Sequence, residues 1–434
     1  MKRIIIAAFA LMAALPARAE IAIQEVVSPG GVTAWLVEEH SIPFVALELR
    51  FKGGATLDLP GKRGATNLMI GLLEEGTGEM DAQEFARATE ELAANFDYDV
   101  YDDAVMISAR FLTENRDAAV DLLRKSVVMP RFDQVSIDRV REQVASIIRS
   151  DAKDPDRIAG NTFDALAFGD HPYATSLNGT LDSLAALQRD DIVTAHKNAL
   201  ALDRVYVSAV GDITADELGT LIDQLLQGLP ATGTALPVQA TYQLNGGETL
   251  VDFETPQSVA IFGHEGIKRD DPDFFAAYIL NVILGGGSFD SRLMTEVREK
   301  RGLTYGVNTF LVAKDLAQVY LGSVASANDR ITQAVDVIRS EWARMASVGP
   351  TPEELEKAKT FLTGAYPLRF DGNGPIANIL VGMQMDELPI DYAATRNDKV
   401  NAVTLPEIQR VAKRLLRPED LHFVIVGQPV KQGD

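Results

Sequence analysis

The chain contains no cysteine. That excludes disulfides and thiolate metal sites, so in an oxidising compartment stability has to come from core packing alone. Histidine is scarce too. His40, His171, His196, His264 and His422 are scattered, and no two stand four residues apart. The imidazole pair that shares one face of a zinc-binding helix is therefore missing. Positive charge is in deficit, with 41 Lys and Arg against 62 Asp and Glu and a formal net charge of −21. So acidic a chain is poorly suited to nucleic acid or anionic membranes; it reads first as soluble, and is compatible with basic peptides. Past the first residues, no apolar run reaches the roughly 20 residues that a membrane span needs.

Those first residues are a class of their own. Lys2 and Arg3 precede an almost unbroken apolar run, Ile4 to Leu15, that ends at "ARA" (17–19). The pattern predicts a secretory signal peptide at 1–19, cleaved after Ala19, and the run is too short for a membrane anchor. A Gram-negative periplasm is the expected destination, with a secreted protein as the alternative.

What is present is written twice. "DRVYVSAVGDI" (203–213) and "EDLHFVIVGQP" (419–429) are apolar strands that stop at a glycine. Upstream of them lie helices of matching character, "RDDIVTAHKNAL" (189–200) and "LPEIQRVAKRLL" (405–416). Further upstream, "DQVSIDRVREQVASII" (133–148) pairs with "TPEELEKAKTFLTGAY" (351–366). All three pairs share nearly one offset, the signature of a duplicated unit. A Gly-, Pro- and Thr-rich stretch separates the copies. The expectation is an N-terminal domain at 20–230, a linker at 231–247 and a C-terminal domain at 248–434. Each mixes alternating apolar strands with amphipathic helices, which predicts two α+β domains of similar fold, each a largely antiparallel sheet packed with helices, facing each other across a cleft.

Three segments carry a family resemblance. "GGATLDLPGKRGATNLMIGLLEEGT" (53–77) resembles the opening of the M16 metallopeptidases, the pitrilysin, insulinase and mitochondrial processing peptidase group. "FGDHPYATSLNGTLDSLAALQRDDI" (168–192) is similar to the segment that follows there. "LGGGSFDSRLMTEVREKRGLTYGV" (284–307) resembles the family's second signature, a glycine-rich turn (Gly285, Gly286, Gly287), a helix, then Arg298 and Tyr305. The resemblance implies the M16/LuxS-like metallohydrolase fold over the whole mature chain.

It also implies what is missing. The family holds zinc through H-x-x-E-H, two histidines on one helix face with a glutamate as general base. Here the corresponding positions are Asn67, Ile70 and Gly71, and the further acidic ligand falls near Ile147 in "ASIIRS". An amide is a poor zinc ligand, and isoleucine and glycine offer no donor. Glu74 and Glu75 do not replace them: neighbours on a helix point about 100° apart, and the two read as a solvated surface pair. No metal is expected in this chain.

Arg298 and Tyr305 are retained. By resemblance they bind an extended peptide and hydrogen-bond the scissile carbonyl, for which a guanidinium and a phenol are apt donors. From the residues alone, "EVREKRG" also reads as a charged helix end favoured by the dipole, and Tyr305 as a core residue. Arg301 lies outside the matched spacing. "LGGGS" lacks the Gly-Lys-Ser/Thr of a phosphate loop and reads as a flexible turn beside the cleft. The expected function is that of an exported, non-catalytic subunit of a heteromeric M16 zinc peptidase, inactive alone, whose partner bears H-x-x-E-H and the zinc. The alternative is an inert peptide-binding or scaffold protein of the same fold.

Overall fold

The computed structural model describes residues 22–287 and 290–430; the signal peptide expected at 1–19 lies outside the described residues. The first half opens with β1 (Gln24–Val27), β2 (Thr33–Glu38), β3 (Phe44–Lys52) and α1 (Ala65–Ile70). A small ribbon, β4 (Gly76–Thr77) and β5 (Met80–Asp81), leads into α2 (Ala82–Glu91) and the hairpin of β6 (Asn95–Val100) and β7 (Ala104–Leu112). Helices α3 (Arg116–Val128), α4 (Gln134–Asp151), α5 (Pro155–Phe168), α6 (Leu181–Ala186) and α7 (Arg189–Ala199) follow. Then come β8 (Val205–Gly211) and α8 (Ala215–Leu226).

The second half runs β9 (Gly247–Asp252), β10 (Gln257–Glu265), α9 (Phe274–Leu284) and a π-helical segment, Met294–Glu299. The hairpin of β11 (Val307–Ala313) and β12 (Gln318–Ala327) comes next. Helices α10 (Ile331–Val348), α11 (Pro352–Ala365), α12 (Asn373–Met385), α13 (Tyr392–Ala402) and α14 (Leu405–Leu415) precede β13 (His422–Gly427).

The two sheets repeat one topology. The first has the order β1-β2-β8-β3-β7-β6, and the second, read in the same sense, β9-β13-β10-β12-β11. The duplicated strands of the sequence, β8 and β13, occupy equivalent places. Each pairs antiparallel with one inner strand (β3 or β10) and parallel with the other neighbour (β2 or β9). The remaining ladders are antiparallel.

Strand alternation sorts each sheet into two faces. On β3, Val45, Leu47, Leu49 and Phe51 bury against the helices of their own half, together with Val105, Ile107 and Phe111 of β7. The opposite face carries Ala46, Glu48 and Arg50. It is covered by a helix from the other half: α12 places Ala377, Leu380 and Met383 against Trp35, Ala46 and Val210. Polar bonds fix that seating, Ser208 Oγ donating to the Ala377 carbonyl at 2.6 Å and Gln384 Nε2 to the Val207 carbonyl at 2.8 Å.

The exchange is reciprocal. Helix α5 of the first half lies on the second sheet, with Phe163, Ala167 and Phe168 against Val319 and Val424, and Ala159 against Val259 and Val426. Each half thus closes the core of the other. Residues between α8 and β9 carry no regular element and run along the seam, where Ala240 N donates to the Leu316 carbonyl and Gln243 N to the Ala167 carbonyl.

Candidate functional site

Helix α1 is started by backbone that only glycine tolerates well. Gly64 sits at φ +99, and a Cβ there would lie 2.7 Å from the Asn178 carbonyl. Asp58 caps the helix from a distance, accepting from Gly64 N (2.9 Å), Thr66 N (2.8 Å) and Thr66 Oγ1 (2.7 Å). These bonds serve the otherwise unpaired N–H groups of the first turn.

The three positions equivalent to the zinc motif are spent on packing. Asn67 Nδ2 donates to Asn178 Oδ1 at 2.8 Å, which ties the helix to the 176–179 turn. Ile70 is buried in the first core. Gly71 faces α4 so closely that a Cβ would be 3.1 Å from Val140 Cγ1. Ile147, further along α4, is half exposed. One amide, one alkyl chain and a glycine do not fit a zinc ion, and among the described residues no three His, Cys, Asp or Glu side chains gather to hold a metal.

Glu74 and Glu75 differ from the solvated pair read in the sequence. Glu74 is exposed, but Glu75 forms an ion pair with Arg139, and its carbonyl accepts from Ser136 Oγ at 3.3 Å. The reason is α4, which packs alongside and brings its own cation to the end of α1. Glu75 is thereby a tether between helices.

On the second half, Gly285 to Gly287 and Gly302 to Gly306 are held by bonds to α9 and to the second sheet. Asn281 at the end of α9 accepts from both Gly285 N (2.9 Å) and Gly286 N (2.8 Å). Thr309 N donates to the Gly285 carbonyl at 3.0 Å, and Thr309 Oγ1 to Asn281 Oδ1 at 2.8 Å. A Cβ at Gly285 would lie 2.7 Å from Thr309 Oγ1, and one at Gly286 2.7 Å from Asn281 Nδ2. The first two glycines are therefore pinned by close approach, contrary to the flexible turn expected, while Gly287 supplies φ +87.

Arg298 lies half-buried on the π-helical segment, whose Met294 and Val297 bury into the second core. Gly302, at φ +61, ends it. Its N–H donates to the Arg298 carbonyl at 2.8 Å, and Leu303 N to the Val297 carbonyl at 3.0 Å. Leu303 is buried and its carbonyl accepts from Ser326 Oγ; Thr304 Oγ1 donates to the Ala325 carbonyl at 2.6 Å and accepts from Gly306 N at 3.0 Å. Between these anchors Tyr305 is 87% exposed, which excludes the core role that the sequence alone allowed. Arg301 and Lys300 both bond Glu296 at 2.7 Å, so Arg301 is already engaged.

The site residues therefore fall on two different halves, with Asn67, Ile70 and Gly71 on the first and the glycine turn, Arg298 and Tyr305 on the second. The sequence reading passed over several residues that join the halves, among them Asp102, Asp103, Tyr173 and Lys314. Only "DHPY" hinted at them, and His171 there does cap its turn, accepting from Tyr173 N at 3.2 Å.

Comparison with known proteins accords with this architecture. Residues 34–181 match the family described as Insulinase (Peptidase family M16), and residues 186–362 that described as Peptidase M16 inactive domain. The chain is 27% identical over 398 residues to a Helicobacter pylori protein named Non-peptidase homolog YmxG, covering 91% of each. It is 21% identical over 396 residues to the Mitochondrial-processing peptidase subunit beta of Lentinula edodes, covering 86% of this chain and 83% of that one. The crystal structure of a peptidase M16 inactive domain from Pseudomonas fluorescens superposes with a TM-score of 0.89 at 27% identity, covering 95% of this chain and 99% of that one. Sequence, duplicated topology and these likenesses agree: the chain belongs to the M16 peptidase family.

Proposed function

We propose that the protein is the non-catalytic member of a two-chain M16 peptidase, exported to the periplasm. It would present Arg298 and Tyr305 to a peptide, while a homologous partner bearing H-x-x-E-H supplies zinc and the general base. The observation that carries this is Tyr305: an aromatic ring left in water on a segment whose backbone is bonded on both sides. Exposing a ring forgoes apolar burial, and a rigid mount preorganises it for contact with something outside the chain. The zinc positions support the same division, since Asn67, Ile70 and Gly71 are committed to packing. The names Non-peptidase homolog and inactive domain, carried by relatives, agree with a chain that does not cleave by itself.

The test is affinity purification of the tagged protein from its native host, followed by peptide hydrolysis with the recovered partner. A stoichiometric M16 partner with H-x-x-E-H is expected, and Arg298→Ala in the assembled complex should lower peptide turnover by tenfold or more. Unchanged hydrolysis would remove the role given to Arg298. A homodimer, or a partner from another family, would favour the inert peptide-binding or scaffold reading.

A further inference from the structure

The segment that carries Arg298 departs from α-helical register. It begins in that register, with Thr295 N donating to the Ser291 carbonyl, four residues back, at 2.9 Å. Lys300 N then reaches five residues back, to the Thr295 carbonyl at 3.0 Å, and Met294–Glu299 is a π-helix. Such turns are rare and gather at functional sites. The cost of this one can be located. In an α-helix the Glu296 carbonyl would accept from Lys300 N. Here that donor has gone to Thr295, and a backbone carbonyl has to find another partner.

A side chain supplies it. Arg301 Nη1 donates to the Glu296 carbonyl at 2.7 Å and to Glu296 Oε2 at 2.7 Å, so one guanidinium holds both the backbone and the carboxylate of one residue. Lys300 Nζ takes the other carboxylate oxygen at 2.7 Å. From α10, Arg344 Nη2 stands 3.9 Å from that same oxygen, which ties the carboxylate to a helix of the second core. Only 13% of the Glu296 side chain remains exposed. The arrangement is particular to the wider turn. On an α-helix, positions five apart point about 140° away from each other. With one more residue in the turn, the fourth and fifth positions along both lie over the first. Bonds from an ionised donor are roughly twice as strong as neutral ones, which suits them to hold a register that the backbone alone does not favour.

We propose that Glu296 and Arg301 form a latch that keeps this segment in the π register and so sets the direction in which Arg298 points. Arg301 is then a positioning residue, acting on the backbone beside Arg298. Were the Glu296 carbonyl to lose its guanidinium, the nearest replacement is Lys300 N, and taking it back returns the turn to α spacing. Removing one residue from a turn rotates one side of it against the other by about 100°. Met294 and Val297 are anchored in the second core and Thr304 on β12, so the change falls on the residues between, Arg298 among them. The proposal deepens the two-chain peptidase reading and rests on it for what Arg298 does to a peptide; the register itself is independent of that reading.

Arg301→Met keeps the alkyl stem and removes both bonds, and with 39% of the Arg301 side chain exposed the truncation is compatible with the fold. Its crystal structure is expected to show Lys300 N on the Glu296 carbonyl and the Arg298 side chain turned from its present direction. Lys300→Met, which gives up a carboxylate bond alone, should keep the π turn. In the complex assembled with the zinc-bearing partner, Arg301→Met should lower peptide turnover by about fivefold or more, as misaimed groups do. Combined with Arg298→Ala it should add no further loss, because a residue that acts through another has no effect once that other is gone. Lys300 N still on the Thr295 carbonyl in Arg301→Met would overturn the latch, and so would loss of the π turn in Lys300→Met. Losses that multiply in the double variant would overturn the positioning role. Arg298→Ala without effect on turnover would instead remove the peptidase reading, and the two crystal structures would still decide the latch.

Discussion

Gly71 has neighbours where a histidine would need space. With a Cβ already 3.1 Å from Val140 Cγ1, an imidazole there must push α4 away, and a glutamate at Ile70 would place a charge in the first core. Writing the motif back as Asn67→His, Ile70→Glu and Gly71→His is therefore expected to cost several kcal/mol. No stoichiometric zinc should bind. Urea unfolding and metal analysis of the purified variant check both statements; one zinc per chain at undiminished stability would show that α1 is still a metal helix. A second residue-scale prediction concerns His264, buried between Tyr320 and Trp342. Trp342 Nε1 donates to its Nε2 at 3.1 Å, so Nδ1 carries the proton and donates to the Glu265 carbonyl at 2.7 Å. Burial lowers its pKa from 6.5 to about 4, so the fold resists protonating it. Stability should fall as pH drops from 6.5 towards 4, by roughly 3 kcal/mol at most from this group, and His196, buried likewise, adds in the same direction. His264→Gln should flatten that slope in urea titrations at pH 7.5, 6 and 5. An unchanged slope would assign the acid sensitivity elsewhere.

At the scale of elements, what could be read from the sequence was what repeats or alternates. The β8 and β13 strands were visible because each is an apolar run ended by a glycine with a special backbone, Gly211 at φ +142 and Gly427 at φ +146. Helices α4, α7, α11 and α14 showed through their amphipathic spacing. The capping pairs Thr351–Glu354 and Thr404–Glu407, which start α11 and α14, are local patterns of the same kind. Partners were not legible. Nothing in "RIAGNTFDALAF" says that α5 covers β10 and β13 of the other half, since burying an apolar stripe does not specify whose sheet receives it. For the same reason the parallel pairs β2–β8 and β9–β13 were lost in the antiparallel expectation. The candidate site divides along the same line. Residue identity led to the expectation of no zinc at 67, 70 and 71, and the family resemblance picked out Arg298 and Tyr305. The pinning of Gly285 and the tether at Glu75 depend on Thr309 and Arg139, brought in from elsewhere in the chain.

For the whole molecule, the exchanged helices mean that neither half owns a complete core. Without α12, the first sheet would expose Trp35, Ala46 and Val210; without α5, the second would expose Val259, Val424 and Val426. Exposed apolar faces of that kind promote association rather than a stable monomer. Residues 22–230 and 247–430, expressed separately, are therefore expected to be aggregated or loosely packed, with poor dispersion of amide resonances. Expressed together, they should assemble one to one, because α5 and α12 remain attached to their own fragments and can reach across. The connecting stretch adds a tether, the Ala240, Gln243 and Gln239 bonds to the seam, and the packing of Tyr242 on Phe168. Size-exclusion chromatography and amide spectra of the single and paired fragments check this. A first fragment that folds alone with a protected β3 would show that α12 is a dispensable cover, and the two-domain chain would then be a pair of independent units. If the fragments reassemble, reciprocal exchange is the source of the molecule's unity.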